Sequence, residues 1–202
     1  MAINDIESRM ELDLQANMTV IGKHSYVLNW TGQTAQVSPF SPEYEAMDQV
    51  PIVDMIIAYD CPYALKTYLL VCHNALYIPS MDHNLFVPFI MREAGVKVND
   101  IPKIQVHDPL EKDHSVWFPE MQVRIPLSLS GIFSFFPTRS PTVSELQECE
   151  DVLVVTPDGH KWDPHSDVYA QNEESMLDWE GNLSHKKDQI CILVEDLMRM
   201  IS

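Results

Sequence analysis

Between residues 10 and 137, apolar positions fall in short runs or alternate with polar ones, rich in β-branched and aromatic side chains and cut at close intervals by proline. That pattern predicts many short strands and few helices. The clearest strands cover 50–59 and 67–72, separated by the turn chemistry of Asp60-Cys61-Pro62-Tyr63. Another strand, 75–78, closes at Pro79-Ser80. Residues 84–94 change to helical spacing interrupted by Pro88, which predicts a short helix starting near that proline and capped by Gly95. Strands at 116–118, 123–125 and 132–136 complete this zone.

After Pro137 the pattern shifts. Residues 144–150 read as a short helix and 152–155 as an apolar strand. Residues 166–179 are acidic and partly helical, while 186–201 place Ile190, Leu193, Val194, Leu197, Met198 and Ile201 on one helical stripe, the spacing of a face that packs on a core. Three segments result: a domain at 10–105, a β extension at 106–137 and an acidic helical tail at 138–202.

Composition narrows the classes. With 46% hydrophobic residues the chain builds a real core, and its formal net charge of −17 repels phosphate backbones and anionic headgroups, so nucleic acid is not an expected partner. The first thirteen residues lack the basic start and apolar run of a signal peptide, and no window has the eighteen or so apolar residues of a membrane span. The expectation is an intracellular chain without membrane attachment. Its four cysteines form no C-x-x-C pair and read as reduced thiols. No glycine-rich phosphate loop and no Gly-x-Ser-x-Gly elbow is present.

Two blocks carry chemical information. The first runs Glu11-Leu12-Asp13-Leu14-Gln15-Ala16-Asn17-Met18-Thr19-Val20-Ile21-Gly22: an acid after an apolar residue, a small residue three positions on, then an apolar strand ending in glycine. The second, Asn74-Ala75-Leu76-Tyr77-Ile78-Pro79-Ser80-Met81-Asp82-His83-Asn84-Leu85-Phe86, leads through a strand and a proline turn to Asn-Leu before the helix at Pro88. Together they resemble the protease segment of copia-type retrotransposon polyproteins, a retropepsin-like aspartic protease. The stretches Val37-Ser38-Pro39-Phe40, Ala58-Tyr59-Asp60-Cys61-Pro62-Tyr63 and Arg124-Ile125-Pro126-Leu127 extend the similarity to about residues 10–182.

The resemblance implies a mainly β, retropepsin-like closed β-barrel with one short helix and a psi-shaped crossing beneath the acid, followed by a spacer before an integrase. It implies an aspartic endopeptidase, a hydrolase that processes its own polyprotein inside the cell, within virus-like particles. Hydrolysis by this route needs two carboxylates sharing one proton, one form activating water and the other polarising the carbonyl. One chain holds one such motif, so the implied active form is a homodimer pairing Asp13 with Asp13 of a second subunit, with Ala16 supporting the turn. Residues 38–49 are the candidate flap over a peptide substrate. No cofactor and no metal ion is expected.

The motif is degenerate. The family's hydroxyl residue after the acid, which hydrogen-bonds across the dimer, is Leu14, and its glycine is Gln15. Reduced or absent activity is the expectation, and a non-catalytic, retroelement-derived interaction or assembly module is the alternative. The run Asp158, His160, Asp163, His165, Asp167 offers metal-ligating side chains, but a solvated loop accounts for it better.

Overall fold

The computed structural model describes residues 8–38, 43, 45–157 and 163–182. In chain order the strands are β1 (Ser8–Leu12), β2 (Val20–Ile21), β3 (Tyr26–Val37), β4 (Met47–Cys61), β5 (Lys66–Tyr77), β6 (Asn84–Phe86), β7 (Lys97–Asn99), β8 (Ser115–Phe118), β9 (Val123–Pro126), β10 (Ser128–Ser130), β11 (Phe133–Thr138) and β12 (Val152–Val154). Three short helices, α1 (Pro88–Glu93), α2 (Val143–Glu148) and α3 (Val168–Glu174), join them. The chain is therefore mainly β. It divides into two compact units, Met1–Trp162 and Asp163–Ser202.

In the first unit, one sheet runs in the order β10-β11-β1-β6-β2-β5-β4-β3, with β12 paired to β5 off that path, and β7-β8-β9 form a second sheet. The expected closed barrel is not formed. Past β11 the chain meets β4 at one isolated antiparallel bridge, Ala58 with Arg139, too short a seam to close the sheet. Among the described residues β3 and β10 are its edges, and β3, largely exposed, carries three register shifts against β4. β11, in the segment expected as a β extension, pairs with the first strand: Met10 lies opposite Phe136 in an antiparallel ladder and opposite Asn84 in a parallel one.

β4 is buried along most of its length because each face meets a different apolar cluster. Val53, Met55, Ile57, Tyr59 and Cys61 enter the main core with Met10, Phe86 and Phe136, whereas Val50 and Ile52 join one smaller cluster and Ile56 and Ala58 another under Leu146 of α2. Partner β5 changes phase to follow. Its residues 68, 70 and 72 face the main core, and after an extra residue opposite Asp54 the core position becomes Ala75. Asn74 takes a left-handed φ of 54° at this bulge, and Asp54 Oδ1 accepts its N–H at 3.1 Å and lies 3.3 Å from His73 Nδ1.

Arg139 ties the far end of this sheet together. Its guanidinium donates two bonds of 2.7 Å to Asp60 and bonds of 2.6 and 2.9 Å to Glu145, which also closes the capping box of α2 with Thr142. These bonds hold the Glu145 carboxyl down at about 2 and also lower Asp60. Depressed carboxyls stabilise the fold above their unfolded value, and the contribution is lost as pH falls from about 4.5 towards 2. Arg139→Met is expected to cost about 1 kcal/mol near pH 7, a discounted figure because the groups are partly solvated. Urea melts at pH 5 and pH 2.5 check it: the variant should lose less stability between the two than the native chain, and equal losses would contradict it.

In the second unit, α3 is followed by a turn in which Asp178 Oδ1 accepts the N–H groups of Glu180 and Asn182, each at 2.9 Å. The apolar-striped helix expected at 186–201 lies outside the described residues.

Candidate active site

β1 alternates in burial, with Ser8, Met10 and Leu12 inside, so the residue after it emerges at the surface end of a core strand. That residue is Asp13. Its N–H donates to the Phe86 carbonyl at 2.8 Å, adding one bond to the parallel ladder with β6. The chain then turns sharply, because the Gln15 N–H donates back to Asp13 Oδ1 at 2.8 Å. Among the described residues no other donor reaches this carboxylate, which is half-buried. Leu14, 66% exposed, and Gln15 project from the turn, and Ala16 is half-buried behind them.

The returning strand β2 threads between β5 and β6. It runs parallel to β5 and antiparallel to β6, while β6 runs parallel to β1 on its other side. The two arms of the Asp13 turn therefore straddle β6, and β6 itself continues the chain from β5. Leu76 N–H donates to Thr19 O and Ile78 N–H to Ile21 O, both at 2.9 Å. Gly22 N–H donates to the buried Asn84 Oδ1 at 2.8 Å. Among the described residues, Thr19 Oγ1 and Asn84 Nδ2 are buried with no hydrogen-bond partner, each costing about 1–3 kcal/mol.

The candidate flap, residues 38–49, covers the connection from β3 into the start of β4, and its residues 39–42 and 44 lie outside the description. Pairing of Val37 with Met47 carries the two strands into this segment. At mid-hairpin, Trp30 is braced edge-on against Tyr77, with ring centroids 5.9 Å apart. Of the Asp/His run, Asp158 and His160 fall outside the description, and Asp163 Oδ1 accepts the His165 N–H at 2.9 Å, the geometry of a local turn. Among the described residues no three His, Cys, Asp or Glu side chains gather as a metal site.

Two polar constellations escaped the sequence reading. The Asp54-His73-Asn74 group stabilises the β5 bulge. His114 Nε2 lies 2.8 Å from Ser134 Oγ, and burial pushes its imidazole below its ordinary value. Both residues are buried, so no substrate reaches them, and they join the small sheet to β11. No periodicity or motif signals either group, since each is assembled from pairing between distant strands. Comparison with known proteins yields no match: no family model fits the chain, and no curated protein or solved structure matches it.

Proposed function

We propose that the chain is a retropepsin-like aspartic endopeptidase segment of a copia-type retrotransposon polyprotein, working as a homodimer around paired Asp13 side chains, with activity reduced or lost. The supporting observation is the position of Asp13 at a tight turn whose two strands straddle β6. One carboxylate oxygen is tied to the Gln15 N–H, and no other described donor reaches the carboxylate, which supports a role in sharing a proton with a second acid. The natural substrate would be the element's own polyprotein.

Leu14 supports a second reading, a non-catalytic assembly module. An exposed apolar side chain stands next to the acid, where dimer-spanning hydrogen bonds would need a hydroxyl. It gives a paired subunit apolar contact without ordering the two acids.

Sedimentation and cleavage of labelled, unfolded casein separate these readings. A dimer is expected, with slow cleavage at acidic pH that Asp13→Asn abolishes. A dimer without Asp13-dependent cleavage selects the assembly module. A strict monomer at high concentration overturns the peptidase, because one chain holds a single such acid, and leaves the module only as a binder of other proteins.

A further inference from the structure

A cleft of about 280 Å³ opens between β12, the turn after α1 and the β8–β9 turn. Gly95, Val96, Phe118, Met121, Val152 and Val154 line it. Its volume lies at the lower edge of ligand-sized pockets, room for a side chain or two rather than a cofactor. It involves none of the residues around Asp13.

The register of β12 decides what the cleft presents. Leu69 N–H donates to Asp151 O and Val155 N–H to Val71 O, both at 2.9 Å, so Leu153 between them turns its own backbone groups towards β5. The backbones of Val152 and Val154 then face the other way. Val152 N–H is taken by Glu150 O at 3.1 Å, which leaves Val152 C=O and both backbone groups of Val154 on an edge where, among the described residues, no strand pairs. The two residues are 39% and 43% exposed. An open edge beside apolar pockets is the template for strand addition. The surroundings are acidic: Glu120 lines the cleft, and exposed Glu148 and Glu150 precede β12 in a chain of net charge −17.

We propose that the β12 edge and its cleft dock an extended peptide segment of a partner protein, apolar at alternate positions and carrying Lys or Arg beside Glu120 and Glu150. The backbone of Val154 pairs with the peptide, one apolar side chain fills the space over Phe118 and Met121, and the basic flanks meet the glutamates. Charge excludes an acidic peptide.

The probe is the labelled peptide Lys-Leu-Thr-Val-Thr-Leu-Lys, followed by fluorescence anisotropy and amide NMR on the full chain. Binding is expected to shift the signals of Gly95 and Val152–Val154 selectively. Val154→Pro removes a donor that faces the cleft and not β5, so it should weaken binding about tenfold while leaving the thermal melt in place. Glu120→Lys should weaken it several-fold. Should Val154→Pro fail to fold, Met121→Arg, which fills the cleft with a cation, serves instead and should weaken binding at least as much. The proposal is overturned by no binding at millimolar peptide or by unchanged affinity in the folded variant. It is equally overturned by a dimer that Val154→Pro dissociates, because the edge would then belong to a second copy.

Discussion

Gly22→Ala is expected to destabilise the first unit by about 4 kcal/mol, a large share of the 5–15 kcal/mol that holds a typical domain. A Cβ at this position would fall well inside contact distance of the Met81 carbonyl oxygen, 2.9 Å from its carbon and 3.2 Å from the His83 oxygen. All three are backbone atoms, so no side chain can swing away. Relief must come from moving the chain at the β2–β6 crossing, where Gly22 N–H meets Asn84 Oδ1, Lys23 N–H meets Met81 O and Ser25 Oγ donates to Gly22 O. Overpacking costs about 1–3 kcal/mol and a buried acceptor left unpaired another 1–3 kcal/mol. Thermal unfolding followed by circular dichroism should show Tm lowered by about 8–16 °C, at 2–4 °C per kcal/mol for a chain this long. A shift under 2 °C would mean that the close approach is not real.

The double variant Leu14→Ser, Gln15→Gly is expected to raise cleavage of unfolded casein about 100-fold over the native chain, the scale of positioned acid–base catalysis. Serine supplies a hydroxyl that can bond across a dimer, where Leu14 offers only an exposed apolar surface. Glycine keeps the N–H that Gln15 now donates to Asp13 Oδ1 and removes the side chain at that position of the turn. Activity should follow a bell-shaped acidic profile, as two coupled carboxyls require, and should vanish when Asp13→Asn is added. A folded, dimeric double variant with no Asp13-dependent cleavage would remove the peptidase reading.

Much of the local structure was legible in the sequence because local chemistry decides it. The apolar runs of β4 and β5 meet at Pro62 with turn residues on either side, and Pro88 and Gly95 bracket α1 as written. Other features depend on partners far along the chain. His73-Asn74 reads as a break between two strands, yet β5 continues through it because Asp54 on the neighbouring strand accepts the N–H of the left-handed Asn74. β3, with Asn29, Thr31, Gln33 and Gln36 among its outward residues, has no buried face to give it a period. Its identity as a strand comes from β4. At the candidate site, the acid and the tight turn are written in Asp13 to Ala16. That the turn's two arms straddle β6, and that Gly22 must be small to pass Met81, follow only from pairing between residues more than fifty positions apart.

The placement of β1 has a consequence for synthesis on the ribosome. Met10 is sandwiched between Asn84 and Phe136, so one flank of this strand stays bare until the residues of β11 have been made. At about 5–20 residues per second that delay is on the order of ten seconds. During it the β4–β5 hairpin, already complete and strongly apolar, has no lid from the later strands.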